Sequence, residues 1–210
     1  MIRVLLVEDH TIVRKGLKLL IDDTKDIRVT SEATDGIEAV RTCNSSTFDV
    51  LVLDITLPTM NGLEVIKRLK SQKNKTPILV LSMHSEDIYA IRAIRAGASG
   101  YLTKDRAPEE LIDAIRRVAR NQKYITTEVA DMLVLEVSSP EHEVPHKSLS
   151  DREYEIMIKI ALGKSLSLIA QELFLSIKTI STYRSRILLK MGMHSNAEII
   201  KYSLKNNLLQ

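Results

Sequence analysis

Glu8, Asp9, Asp54, Ser82 and Lys104 are polar residues of the kinds used in phosphoryl chemistry, and each stands at the end of a short apolar run. The runs are Ile2 to Val7, Val50 to Leu53, Ile78 to Leu81 and Gly100 to Leu102, rich in Val, Ile and Leu and separated by helix-like segments. Continuous apolar runs of this length are the pattern of parallel strands buried on both faces. Ligands of such a sheet bind outside the carboxyl ends of its strands, so the five residues are predicted to converge in one cleft. Glu8, Asp9 and Asp54 then form a hard-oxygen site suited to Mg2+, which takes one or two carboxylates and keeps positions for water or phosphate oxygens. A divalent cation there relieves the repulsion among the carboxylates and neutralises an incoming phosphoryl group. Lys104 supplies a point charge for a phosphate oxygen and Ser82 a hydroxyl donor. Asp54 follows its strand directly and is assigned as the nucleophile. Each residue alone has a duller reading, as a helix cap or a solvated charge. Their conjunction at the same ends of four runs carries the assignment.

The elements that must position them are visible in the same stretch. Residues 1 to 121 contain five strand and helix alternations, with strands near Ile2, Val29, Val50, Ile78 and Gly100. Five alternations predict an α/β fold, a doubly wound five-stranded parallel sheet between two helical layers. Apolar residues recur at helical spacing in Ile12, Leu17, Leu20 and Ile21, in Leu63, Ile66 and Leu69, and in Leu111, Ile115 and Val118. Pro77 suits a strand start and Pro108 the first turn of a helix.

After Asn121 the alternation stops. Residues 122 to 147 are read as a linker, with a short helix over Val129 to Val137; Val137 to Ser148 collects two prolines, three serines and mixed charge. From residue 148 the pattern is purely helical. Ser150 with Glu153 forms a capping box, Gly163 ends that helix, and Ser165, Ser176 and Ser195 are placed to cap three more. Four short helices are predicted to make a second domain over residues 148 to 210.

Composition narrows the class. The chain has 210 residues, 44% of them hydrophobic, and no Trp, enough apolar content for packed cores. Its single cysteine, Cys43, cannot form an internal disulfide and is assigned a small apolar role, which suits a reducing cytoplasm. Glu8 and Asp9 cut the first apolar run short of a signal-peptide core, and no stretch approaches the roughly 18 apolar residues of a membrane span. A membrane partner is therefore not expected. The formal charge of +3 is uneven: residues 148 to 210 carry nine Lys and Arg against five acids, while Tyr124 to Lys147 carries five acids and one base.

Val7-Glu8-Asp9-His10, Asp54-Ile55-Thr56-Leu57-Pro58-Thr59-Met60-Asn61-Gly62, Ser82 and Tyr101-Leu102-Thr103-Lys104 together resemble the receiver domain of bacterial two-component response regulators, a flavodoxin-like fold. The resemblance implies that Glu8 and Asp9 hold Mg2+ and that Asp54 accepts phosphate from a histidine of a sensor kinase. It also implies that Ser82 and Tyr101 form the switch. A phosphoryl group adds roughly −1.5 to −2 charge and three acceptor oxygens, so Ser82 is drawn toward it and Tyr101 turns into the space left. Thr56, two residues past Asp54, and His84, two past Ser82, border the phosphate, and Thr56 is counted with Glu8, Asp9 and Asp54 in the metal set. Leu57 stands where the family more often has Met.

Within the second domain, Ser165 to Arg184 has a helix-turn-helix layout. Leu168, Ile169, Ala170 and Leu173 lie on a first helix, Phe174 to Ser176 in the turn, and a second helix runs from about Ile177 to Met191. Ile180, Ile187, Leu188 and Met191 supply its core stripe. On the reading face Lys178, Arg184, Arg186 and Lys190 are expected to touch phosphates while Thr179, Ser181, Thr182 and Ser185 meet base edges. Leu149 to Glu153, Gly163 to Ala170 and Leu175 to Ile180 resemble the LuxR-type DNA-binding domain, which makes the whole chain similar to the NarL/FixJ family of transcriptional regulators. Leu166-Ser167-Leu168 departs from the polar triplet usual there, Ser181 replaces a common Lys and Tyr183 a common His. Losing a cation from the reading face weakens single-domain binding and raises the importance of dimerisation, for which Ile199, Ile200 and Leu204 offer a seam unless they serve only to close the core.

These readings predict a phosphorylation-switched, DNA-binding transcription regulator that uses Mg2+ and binds promoter DNA as a homodimer. Its partners would be a sensor histidine kinase and, as for any transcription regulator, RNA polymerase. It is not expected to be an enzyme beyond self-phosphorylation and dephosphorylation at Asp54. A phosphatase built on an aspartyl nucleophile would carry a second acid two residues on, where this chain has Thr56. The remaining alternative is a phosphorylation-independent regulator whose receiver serves only to dimerise.

Overall fold

The computed structural model describes residues 1–83, 86–138, 145–206 and 208–209, with the side chains of 86–88, 128, 132 and 135–138 left out. Described contacts divide the chain into two compact units, Met1–Ser138 and Ser139–Gln210. His84 and residues 139–144 of the predicted linker lie outside the described residues.

Among the described residues, the first unit alternates β1 (Ile2–Val7), α1 (Thr11–Asp22), β2 (Ile27–Ala33), α2 (Gly36–Ser45), β3 (Val50–Asp54), α3 (Gly62–Ser71), β4 (Ile78–Ser82), α4 (Glu86–Ala96), β5 (Gly100–Thr103) and α5 (Ala107–Ala119). The strands form one parallel sheet in the order β2-β1-β3-β4-β5. The order reverses beside β1, and crossover helices cover both faces. This is why β3 and β4 are buried at every position, whereas the edge strand β2 is buried only at its ends. Val4, Leu6, Val52, Leu79 and Leu81 of the sheet pack with Leu111, Ile115 and Val118 of α5 in one core.

The helix phasing holds in α3 and α5 but not throughout α1. Leu17 and Ile21 are buried and Leu20 packs against the core, while Ile12 is 87% exposed. Five residues at 100° each place Ile12 about 140° around the helix from Leu17, outside the buried stripe.

The stretch after α5 returns to the sheet. Tyr124 pairs with Gly100 beside β5, and a Cβ on Gly100 would lie 2.8 Å from the Tyr124 carbonyl. The Tyr124 hydroxyl donates to Glu110 at 2.6 Å. The helix α6 (Thr127–Ser138) then packs on α4. Residues 122 to 138, read as linker and short helix from the sequence, thus form part of the first compact unit.

The second unit opens with a 3-10 turn, Pro145–Ser148, followed by α7 (Asp151–Ala161), α8 (Leu166–Glu172), α9 (Ile177–Met191) and α10 (Asn196–Lys205). Each of these four helices starts at a serine whose side chain accepts from a backbone N–H: Ser150, Ser165, Ser176 and Ser195. Substituting such a cap typically costs about 1 kcal/mol, which matters for helices this short. Ile156, Met157, Ile160, Ile169, Leu173, Ile180, Ile187, Met191 and Ile199 are buried. Leu188 is half-buried, and Leu168 is 43% exposed because its neighbours Ile169 and Ala170 take the inward face of α8. Ile199 is fully buried and closes this core, while Leu204 of the predicted seam is exposed.

Candidate phosphoacceptor cleft and nucleic-acid interface

The cleft at the carboxyl ends of β1, β3, β4 and β5 receives each of the five polar residues. Asp54, the last residue of β3, is 3% exposed and Glu8, directly after β1, is 1% exposed. Between them lies Lys104, whose Nζ is 2.7 Å from Asp54 Oδ2 and 2.6 Å from Glu8 Oε2. The Lys104 backbone N–H donates to the carbonyl of Ser82, joining the ends of β5 and β4. Asp9 is half-buried, and its Oδ1 lies 2.9 Å from His10 Nδ1.

The loop after β3 fixes the Asp54 carboxylate. The Thr56 backbone N–H donates to Asp54 Oδ1 at 3.1 Å, and the Gly62 N–H donates to the carbonyl of Ile55. A Cβ on Gly62 would stand 2.4 Å from the Asp54 carbonyl, so only glycine lets the start of α3 close on this peptide. Asn61 caps α3 in a capping box with Glu64, and Leu57 is buried beneath the loop. Leu57 is as apolar as the Met more usual there, and its burial needs no more than that.

Burial raises the Asp54 carboxyl to a pKa of about 6; Lys104 opposes this and Glu8 adds to it. Burial also works against the charge on Lys104, but the carboxylates of Asp54 and Glu8 outweigh it and hold the ammonium above its usual range. The cleft therefore contains a carboxylate with an unsatisfied demand for positive charge. Glu8, Asp9, His10 and Asp54 each offer a ligand atom within 4.8 Å of the others. Glu8 Oε2 and Asp9 Oδ1 accept no hydrogen bond; Glu8 Oε2 lies within ion-pair distance of the Lys104 ammonium, and Asp9 Oδ1 is 2.9 Å from the His10 ring. Buried hard oxygens of this kind fit Mg2+.

Ser82 and Tyr101 are both buried, at 0% and 1% exposure. The Tyr101 ring lies in the interior, the position that the switch reading gives it after phosphorylation.

In the second unit α8, the turn at Phe174 and α9 form a helix-turn-helix. Phe174 has φ of +52°, and the Arg152 guanidinium donates to the Leu173 carbonyl while pairing with Glu155 at 2.7 Å, both buried. This fixes the turn from inside. Along α9, Lys178, Ser181, Thr182, Ser185 and Arg186 are exposed, and Ser176, Lys178, Thr179, Thr182, Tyr183 and Arg186 line a shallow cleft of about 330 Å3. The Thr182 and Ser185 hydroxyls donate to the carbonyls of Lys178 and Ser181, which leaves their lone pairs to face outward. Thr179 is half-buried and its hydroxyl shares a hydrogen bond with Ser176 at the cap. Arg184 lies on the flank next to the core stripe, where its Nε donates to Asn196 Oδ1 at 2.6 Å. Lys190 Nζ is 2.6 Å from Glu153 Oε2. Of the four predicted cations, only Lys178 and Arg186 extend from the outward face together.

Sequence comparison extends both halves of this picture. Residues 4–116 match the response regulator receiver domain family, and residues 147–203 match the bacterial regulatory proteins, luxR family. The chain belongs to the NarL/FixJ family of response regulators. Among relatives, this response regulator is 37% identical to response regulator UvrY of Escherichia coli (strain K12), the match covering 99% of this chain and 96% of UvrY. It is 36% identical to transcriptional regulatory protein LiaR of Bacillus subtilis (strain 168) over the full length of both. Its fold is similar to the crystal structure of response regulator ChrA of a heme-sensing two-component system, with TM-score 0.53, 33% identity, and 99% and 98% of the two chains covered. The response regulator thus joins a receiver to a LuxR-type DNA-binding domain. No described helix is long and apolar enough to cross a membrane.

The geometry adds one residue that sequence reasoning left unassigned. His10 is the N-cap of α1 yet makes no capping hydrogen bond; its ring turns to Asp9 and Glu8 instead. The signal was present in the sequence, since histidine stands where Ser, Thr, Asp or Asn is preferred.

Proposed function

We propose that this response regulator accepts a phosphoryl group on Asp54 from a sensor kinase histidine and, so modified, binds promoter DNA as a dimer. The observation that carries the reading is the Asp54–Lys104–Glu8 arrangement, with a buried carboxylate at the end of β3 and a cation 2.7 Å from it. An Asp54 carboxylate oxygen attacks phosphorus, the O–P bond forms, and the N–P bond to the kinase imidazole breaks. The electron pair leaves with the imidazole nitrogen, which takes up a proton. Lys104 holds its ammonium toward the transferred group, and the Thr56 N–H orients the attacking carboxylate through Oδ1. Glu8, Asp9 and Asp54, with Thr56 at the rim, would hold Mg2+, which when bound offsets charge on the phosphoryl oxygens. Ser82, buried beside the cleft, is the hydroxyl that senses the product, and Tyr101 reports its position to the surface of the unit.

The test is intact mass of wild type and Asp54→Ala after incubation with Mg2+ and a small acyl phosphate, followed by DNA binding of each. A phosphoryl adduct on wild type alone, with DNA binding strengthened in wild type alone, is the expected result. Equal promoter binding by both proteins, modified or not, would establish the phosphorylation-independent regulator instead.

On the DNA side, Lys178 and Arg186 are assigned the phosphate contacts and Ser181, Thr182 and Ser185 the base edges, with Thr179, Arg184 and Lys190 acting through the domain's own structure. Arg186→Ala is expected to reduce the slope of log affinity against log salt by about 1, as one phosphate contact is lost. Arg184→Ala is expected to leave the slope unchanged. Equal slope changes in a titration from low to moderate salt would return Arg184 to the phosphate-contacting set.

A further inference from the structure

We propose that Arg14 is a positioning residue for the acid pair: aimed by Glu32, it holds the carbonyls of Glu8 and Asp9 and so fixes the loop that presents both carboxylates to the cleft. The proposal rests on reading the cleft as a Mg2+ site and adds a residue outside the cleft that sets its affinity for the ion. Arg14 Nη1 donates to the Glu8 carbonyl at 2.8 Å and, over a longer 3.4 Å, to the Asp9 carbonyl, while Nε donates to Glu32 Oε2 at 3.2 Å. The Arg14 side chain is only 14% exposed. One planar set of donors thus joins the end of β2 to the loop after β1. Glu8 is held from a second side as well, where its N–H donates to the Ala33 carbonyl at 3.2 Å. His10, at the start of α1, makes no cap hydrogen bond, so Arg14 ties this loop to the helix in place of a cap.

An irregularity in the sheet brings Glu32 to Arg14. Val4 of β1 pairs with Val29 of β2, but Leu5 pairs with Ser31, which leaves Thr30 over as a bulge. Side chains alternate between faces along a strand, so unbroken pairing from Val29 would turn Glu32 away from the face that Val29 shares with Val4. The extra residue returns Glu32 to that face, opposite Leu6, where Arg14 and Lys18 of α1 both reach it. Lys18 takes the other carboxylate oxygen, Oε1, at 2.5 Å, and among the described hydrogen bonds it donates to Glu32 alone. The Glu32 side chain is 34% exposed, and ion pairs this open to water contribute little to stability. What the bulge and the carboxylate supply is the direction of the guanidinium.

The test titrates Mg2+ by calorimetry into the full chain as wild type, Arg14→Lys, Arg14→Ala and Lys18→Ala. By charge alone, deleting the Arg14 cation would tighten the binding of a nearby dication, so positioning and simple electrostatics predict opposite signs. Both Arg14 variants are expected to bind Mg2+ about tenfold more weakly, since lysine keeps the charge and loses the fork, while Lys18→Ala stays within about twofold of wild type. In metal-free buffer the His10 N–H, which donates to Glu8 Oε1 at 3.1 Å, should exchange with solvent about tenfold faster in the Arg14 variants than in Lys18→Ala. Wild-type or tighter Mg2+ affinity in either Arg14 variant would overturn the proposal, whatever that variant's stability, and make Arg14 only a surface partner of Glu32. Equal losses in the Arg14 and Lys18 variants would trace the effect to the packing of α1 and not to the loop carbonyls, which also overturns it. A wild type that binds no Mg2+ would sink the cation reading of the cleft, and this inference with it.

Discussion

Replacing Lys104 with methionine is expected to destabilise the receiver by about 3 kcal/mol in metal-free buffer, with most of the loss recovered on adding millimolar Mg2+. Methionine keeps the length and much of the volume of the lysine stem, so the change is mainly electrostatic. Removing the ammonium strands two carboxylates, Glu8 and Asp54, at 1% and 3% exposure with no cation between them. Breaking one side of a buried ion pair typically costs about 3 to 5 kcal/mol. The lower figure applies because Asp54 already titrates near pH 6 and can take up a proton when its cation is lost. Mg2+ bound to the native carboxylates stabilises by mass action and replaces the missing charge. Urea denaturation followed by circular dichroism, with and without Mg2+, checks this, and the transition that Mg2+ shifts identifies the receiver. A loss under about 1 kcal/mol would mean that the carboxylates are hydrated in the native state and that Lys104 is not their counter-charge.

The same residues show how far the sequence could be read. The strand ends were legible because burial on both faces leaves no polar position inside β3 or β4, so the first polar residue after each run marks the cleft. β2 was placed only by its centre, near Val29, since an edge strand half-open to solvent mixes Arg28, Thr30, Ser31 and Glu32 into its run. Helical spacing groups Ile12 with Leu17, Leu20 and Ile21, but Ile12 stands about 140° from Leu17 and is exposed, as is Leu168 on its own helix.

Charge was legible as a count and not as a partner. Residues 148 to 210 carry nine Lys and Arg, and the sequence reading places four of them, Lys178, Arg184, Arg186 and Lys190, at phosphates. The structure commits Arg152 to Glu155, Lys159 and Lys164 to Glu172, Lys190 to Glu153 and Arg184 to Asn196. Arg184 could have been recognised, for it lies four residues after Ile180 and three before Ile187 and so shares their side of α9. The partners of Lys190 and Lys164 are set by tertiary packing, which no local pattern encodes. On the proposed reading face this leaves Lys178 and Arg186 as the outward cations of the four, and the proposal then gives each of them more weight in affinity. The place of α6 beside α4 was likewise invisible, because an amphipathic segment in sequence does not name the surface that it covers.

Asp54→Asn is expected to raise receiver stability in EDTA, by about 1 kcal/mol near pH 4.5 and about 3 kcal/mol near pH 7.5, and the growth between them is the diagnostic result. The native pKa of Asp54 is about 6 against 3.8 for the ordinary group, with burial the largest cause. A carboxyl whose native pKa is raised binds its proton more tightly when folded. Over the window from about 4 to 6 the native state therefore carries more protons than the unfolded chain, and stability falls as pH rises. Asparagine is nearly isosteric and never ionises, so this component disappears from the variant. Any fixed gain or loss from changed hydrogen bonding to Lys104 or Thr56 adds equally at both pH values and leaves the difference intact. Mg2+ should reverse the ranking at pH 7.5, since it binds the ionised acceptor in wild type and loses that ligand in the variant. Parallel pH profiles for the two proteins would show that Asp54 titrates like a solvated carboxylate. The cleft would then hold the Asp54 carboxylate without strain, and the proposed readiness of Asp54 to take on a cation or a phosphoryl group would need another source.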